Sequence, residues 1–156
     1  MTSYEDALAR PGSGGEPGSP EAKAREAAQQ GPSEQAIALA NALFAMAREG
    51  ETARIAAYLD AGAPINMRNA NGDTMLMLAA YHERPETVRM LAARGAGLEL
   101  ANDRGQRALS CAAFKQDVDS CRALLEAGAE PDGGTPSARQ TVAMFGGGEE
   151  LRALFA

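Results

Sequence analysis

A single repeating interval constrains this chain more than any other feature in it. The stretch Asn71 to Asn102 reads NGDTMLMLAAYHERPETVRMLAARGAGLELAN, and moved 33 positions along it matches the sequence again. Gly72 falls on Gly105, Leu76 on Leu109, Ala79-Ala80 on Ala112-Ala113, Val88 on Cys121 and Leu91 on Leu124. Gly62-Ala63, Gly95-Ala96 and Gly128-Ala129 carry the same period. A unit this short cannot bury its apolar face alone. Repetition at a fixed spacing therefore implies a stacked array in which each unit completes its neighbour's core.

Punctuation within the period resolves each unit into two short helices. Asn71-Gly72 favours a turn, since both residues take positive φ easily. Asp73-Thr74 caps a helix holding Leu76, Leu78 and Ala79-Ala80. Pro85 suits the first turn of the next helix, where its missing N–H is no loss. Val88, Leu91 and Ala92 face inward there, and Gly95 ends it. The third unit follows suit: a turn at Asp103-Arg104-Gly105, a helix from Ala108 to Lys115, another from Val118 to Ala127, and a stop at Gly128. The first unit opens with a longer helix. Ser33 is its N-cap, its apolar face is Ile37, Leu39, Leu43, Phe44, Met46 and Ala47, and Gly50 ends it. Its second helix runs from about Thr52 to Ala61, with Ile55, Tyr58 and Leu59 inward.

The last copy aligns with the third at a spacing of 30, so the loop before it is shorter. Thr135-Pro136-Ser137 starts its first helix, Gly146-Gly147-Gly148 makes the turn, and Glu149 to Phe155 is the final helix. Arg139 and Gln140 replace the third unit's Leu109 and Ser110, which suits a terminal unit facing water. Before the array, residues 1–32 are expected to be a disordered tail. Pro11 to Pro20, PGSGGEPGSP, has too little apolar content to offset its ordering entropy, and Glu21 to Gln30 supports only a marginal helix.

This pattern of helix, tight turn, helix and extended loop resembles the ankyrin repeat. The resemblance rests on Gly72, Thr74, Leu76, Ala79-Ala80, Leu91 and Gly95-Ala96 in one unit. In the next it rests on Gly105, Leu109, Ala112-Ala113, Leu124-Leu125 and Gly128-Ala129. It implies an all-α solenoid of about four helix-turn-helix repeats, near 36–68, 69–101, 102–132 and 133–156, within a domain spanning 33–156. The family's Thr-Pro-Leu-His signature is incomplete. Met75 and Met77 stand for its Pro and His, and Arg107-Ala108 stands for Thr-Pro, while Thr135-Pro136 restores that pair. The family's His helps to fix the loop, so these loops are expected to be held by other groups. The Gly between the paired helices is replaced by Glu83 and Gln116. The arrangement is similar to small bacterial ankyrin proteins consisting of one compact array.

Composition and chemistry narrow the function. The chain has 156 residues, a net charge of −6 and a pI near 4.8, which argues against nucleic acid or an anionic membrane as partner. It has two cysteines, one histidine and no CxxC, so neither a zinc set nor a disulfide framework is expected. Neither glycine-rich stretch carries the Lys-Ser/Thr of a phosphate loop. The expectation is a monomeric cytoplasmic protein without cofactor or catalytic constellation. The alternative is a small redox or catalytic protein using Cys111 and Cys121 or His82. A further possibility is shielding of a dedicated partner.

The resemblance implies that another protein is met by loop tips and by the exposed face of each first helix. Carried over by position, the loops contribute Arg68, Ala70, Asn71, Asp73, Ala101, Asp103, Arg104 and Gln106. The helices contribute Arg48, Glu49, Tyr81, His82, Phe114 and Lys115. Tyr81 and Phe114 are one period apart and should stack along one face. Large aromatics beside Arg and Lys are the composition of an interface centre. Tyr81 and Phe114 are thus the expected anchors, with Arg68, Asp73, Arg104 and Lys115 setting register.

Overall fold

Short helices need tertiary support, because a helix of two or three turns is marginal by itself. In the computed structural model, which describes Ser19, Pro20, Ala22 and residues 31–156, that support comes from stacking. The tail expected over residues 1–32 lies, apart from Ser19, Pro20, Ala22, Gly31 and Pro32, outside the described residues. Helix α1 spans Glu34–Glu49 and α2 Thr52–Asp60; α3 spans Met75–Tyr81 and α4 Pro85–Ala93; α5 spans Ala108–Phe114 and α6 Val118–Glu126; α7 spans Ala138–Phe145 and α8 Glu149–Leu154. Residues 41–156 form one compact unit.

Two rows build this unit. Helices α3, α5 and α7 stack side by side as an inner row, and α2, α4, α6 and α8 stack as an outer row. Two of the inner helices are buried nearly all round, Met75 to Ala80 in α3 and Ala108 to Ala113 in α5, while α7 at the end of the row buries Ala138, Thr141 and Val142. Alanine pairs at 79-80 and 112-113 let these helices approach closely. The outer helices bury one stripe each, Thr87, Val88 and Leu91 in α4, and Ser120, Cys121, Ala123 and Leu124 in α6. Leu91 and Leu124 are fully buried, each worth about 1.5–3 kcal/mol by area. Among the described residues no strand forms beyond an isolated bridge between Gly134 and Ser137.

Several expectations need correction. Ile37 and Leu39 are exposed, and Tyr58 is 36% exposed rather than inward. The buried residues of α1, Leu43, Phe44, Met46 and Ala47, all lie in its second half. Thr135-Pro136 does not open α7. Ser137 is the N-cap and α7 begins at Ala138, while the Thr135-Pro136 bond is cis and precedes the cap. Helices α2, α5, α6 and α8 each end one residue before the expected position. The turn between paired helices keeps its left-handed residue without glycine: Glu83 has φ 59° and Gln116 φ 57°, where Gly50 has 77° and Gly146 76°.

Candidate partner-binding groove

The loops along one edge are held by asparagine side chains. Asn69 Oδ1 accepts from the backbone N–H of Asn71 (3.0 Å) and Asp73 (2.9 Å). Asn102 Oδ1, one period on, accepts from Arg104 (3.0 Å) and Gln106 (2.9 Å). Each loop is closed by one more bond, Asn69 N–H to Asp73 O and Asn102 N–H to Gln106 O. These asparagines supply what the resemblance assigned to the missing histidine.

Successive loops are also tied to one another. Asp103 N–H donates to Asn71 O (3.0 Å) and Thr135 N–H to Gly105 O (3.2 Å). Asn102 Nδ2 donates to Asp73 Oδ1 (2.8 Å) and Gln106 Oε1 (2.9 Å). Gly72 is required by this closeness: a Cβ there would sit 2.7 Å from Asp103 Oδ1 and 3.0 Å from Asp103 N, and its φ is +78°. Lower in the stack, Asn66 Oδ1 accepts from Gly97 N–H (2.9 Å) and Glu99 Oε1 from Glu130 N–H (2.8 Å), again one period apart.

Each inner helix starts at the loop edge with its own cap. Thr74 Oγ1 accepts from Met77 N–H in α3. In α5 the partners reverse: Ser110 Oγ accepts from Arg107 N–H and donates to Arg107 O. In α7, Ser137 and Gln140 cap each other reciprocally, Gln140 N–H to Ser137 Oγ and Ser137 N–H to Gln140 Oε1. Three chemistries serve one backbone position.

Between loop edge and inner helices lies a recess of about 260 Å³, lined by Asn71, Asp73, Met77, Leu78, Tyr81, Asn102, Arg104, Gln106 and Cys111. Its floor is apolar and its rim carries one carboxylate and one guanidinium. Tyr81 closes it and continues into a ridge along the C-terminal ends of the inner helices. The Tyr81 and Phe114 rings are stacked, with centroids 6.4 Å apart and planes within 4°. Phe145 meets Phe114 edge-on at 5.3 Å. These rings remain open to solvent, Tyr81 42%, Phe114 45% and Phe145 57% exposed, with Met144 beside them at 60%. Lys115 Nζ lies 5.1 Å from the centre of the Tyr81 ring, within cation–π range.

The expected residues thus divide. Asn71, Asp73, Tyr81, Arg104 and Gln106 share the recess. Tyr81, His82, Phe114 and Lys115 share the ridge. His82 is pushed below its ordinary pKa by partial burial first, then by the charges of Arg48, Lys115 and Arg84, so Arg48 belongs to this end of the helices. Glu49 lines a different recess with Gly50, Thr52, Glu83, Arg84 and Glu86. Arg68 and Ala70 are exposed between the first and second units, and Ala101 is half-buried. Asp103 is exposed beside Gly72 and contributes its backbone to the loop stacking. Asn69, Asn102, Met144 and Phe145 were not among the expected residues. The one-period spacing of the two asparagines was a signal that could have found them.

The two cysteines are free and buried. Burial, then the Asp73 carboxylate, pushes the Cys111 thiol up to about 12, and burial, then Asp117, does the same for Cys121. Both therefore stay protonated at neutral pH, which disfavours nucleophilic or redox chemistry.

Paired helices stacked in two rows, with extended loops along one edge and a groove beneath them, define a helical solenoid whose free surface is repeated from unit to unit. The chain belongs to the ankyrin-repeat family: the family model for ankyrin repeats, in three copies, matches residues 42–133. A protein of Pseudomonas aeruginosa named as an ankyrin repeat protein is 48% identical over 48 residues, which is 31% of this chain and 28% of that relative. The match therefore spans little more than a quarter of the relative's length. Ankyrin repeats are generally protein–protein interaction modules. No helix among the described residues is long and apolar enough to cross a membrane.

Proposed function

We propose that this chain is a non-enzymatic module that seats a segment of another protein in the groove beneath the loops. Tyr81 and Phe114 are its apolar anchors, and Asn71, Asp73, Arg104 and Gln106 read the segment's polar groups. The observation that carries this reading is the recess of about 260 Å³, whose lining includes five residues singled out by the repeat register and whose edge runs on into exposed, stacked aromatics. Exposed aromatics over an apolar floor are where binding energy concentrates. In this reading the chain acts as a cytoplasmic monomer without a cofactor, and its thiols are packing groups.

The test is a comparative pull-down. Wild type and the Tyr81→Ala/Phe114→Ala double variant are used as bait in extract from the source cells. Proteins retained by wild type should be lost from the variant, while both baits keep the same helical circular dichroism. Identical retained sets would overturn the assignment of this face.

A further inference from the structure

The ridge has a charge character that the chain as a whole does not. The protein is acidic, with a net charge of −6. Yet the side chains gathered at the C-terminal ends of α1, α3 and α5 include three cations. Lys115 stands over the Tyr81 ring. Arg84 Nε donates to Arg48 O (3.0 Å), which fixes Arg84 against the end of α1 and beside Arg48. None of the three forms an ion pair among the described residues, a state they share with Arg68, Arg89, Arg104 and Arg152, whereas Arg54, Arg94, Arg107, Arg122 and Arg139 are paired. His82 lies among them: partial burial first, then the charges of Arg48, Lys115 and Arg84, hold its pKa below the ordinary value. The acids nearest in sequence, Glu49 and Glu83, line a recess that Arg84 shares with them and with Glu86, which leaves Arg48 and Lys115 as the cations outside it.

Unpaired cations beside exposed aromatics are complementary to a chain that carries the opposite charge and an apolar side chain together. We infer that the ridge takes an acidic partner segment bearing a large apolar residue. The apolar side chain lies on the Tyr81–Phe114–Phe145 ladder, and carboxylates on either side meet Arg48 and Lys115. This rests on the partner-binding reading and names the partner's chemistry. Aromatic contact would supply holding energy, while the cations would supply selection against basic segments, which is the usual division between apolar and charged contacts.

A random 12-residue peptide library displayed on phage, selected against the full chain in about 100 mM salt, tests it. Recovered peptides should be enriched in Asp and Glu within two or three residues of Leu, Phe, Trp or Tyr. A recovered peptide should bind at least about tenfold more weakly to Arg48→Glu/Lys115→Glu, and weaken as salt is raised. Both positions reach solvent, so the variant is expected to fold, and its melting curve checks this. Neutral or basic peptides, an unchanged affinity for the charge-reversed variant, or no recovery above bare beads would overturn the inference. Acid-independent peptides that are lost on Tyr81→Ala/Phe114→Ala would overturn the charge selection alone and leave the partner-binding reading standing. Peptides indifferent to both variants would remove the face itself.

Discussion

The inner and outer rows each expose a tyrosine, and the contrast between the two residues sets ordinary solvated surface against the proposed recognition surface. Tyr58 on α2 is 36% exposed and Tyr81 on α3 is 42% exposed. Tyr58 sits on a row whose neighbours are tied by surface ion pairs, Arg94 to Asp60 (2.6 Å) and Arg122 to Glu150 (2.7 Å). Tyr81 begins a ladder of rings that continues through Phe114 to Phe145. Exposure is nearly the same, so it does not distinguish them. What differs is repetition in register beside a recess. The inner row buries almost every other side chain of α3 and α5, so its few open positions are concentrated where a ligand can reach them.

Altering the packing of either row should have the largest effect. Leu91→Ala in the outer stripe should cost about 2–5 kcal/mol, and Ala112→Leu in the inner row about 1–3 kcal/mol. Urea unfolding followed by circular dichroism measures both. If Ala112→Leu were neutral, the inner row would not be close-packed as described.

The loop edge and outer face should separate next. Asn102→Ala removes the acceptor for two backbone N–H groups and the donor to Asp73 and Gln106, at a cost of about 1–3 kcal/mol. Arg94→Ala removes only an exposed ion pair and should cost about 0–1 kcal/mol. Equal losses would mean that the asparagine cradle holds no more than a surface contact does.

The thiols offer one probe in each row, Cys111 inside α5 and Cys121 inside α6. Each folded-state pKa is raised to about 12 from 9.0, so the folded chain holds its protons more tightly than the unfolded chain does. Their contribution is full below pH 9 and is lost as pH rises from 9 toward 12, by at most about 1.4 kcal/mol per pH unit per thiol. Aromatic disulfide reagent at pH 8 should label neither thiol in the native chain and both in urea. Rapid native labelling of one would show that its row opens.

A small gain is expected at the turns between paired helices. Glu83→Gly and Gln116→Gly relieve side chains held at positive φ, and each should add roughly 0.5–1 kcal/mol. A loss would show that contacts of the present side chains outweigh the backbone strain.

Much of this architecture was legible in the sequence because stacking imposes it on apolar positions. Gly72 and Gly105, the alanine pairs and Leu91 with Leu124 recur once per period and fall where stacking requires. The ladder from Tyr81 to Phe114 was legible for the same reason. Phe145 was not, because the shorter final spacing sets Met144, not Phe145, opposite Phe114. Asn69 and Asn102 escaped because asparagine in a loop reads as a turn residue whether or not its side chain holds the turn. The exposure of Ile37 and Leu39 was not legible, because both are in phase with the buried stripe of α1 and periodicity gives a face without saying how much of it is buried.

The claim that the inner edge is the recognition surface can be put to the two tyrosines directly. A photoreactive benzoylphenylalanine replaces Tyr81 in one preparation and Tyr58 in another, and each is irradiated in extract from the source cells. A discrete cross-linked protein from position 81, absent from position 58 and lost when Phe114→Ala is added, is the result expected. The same adduct from both positions, or an adduct from position 58 alone, would contradict it.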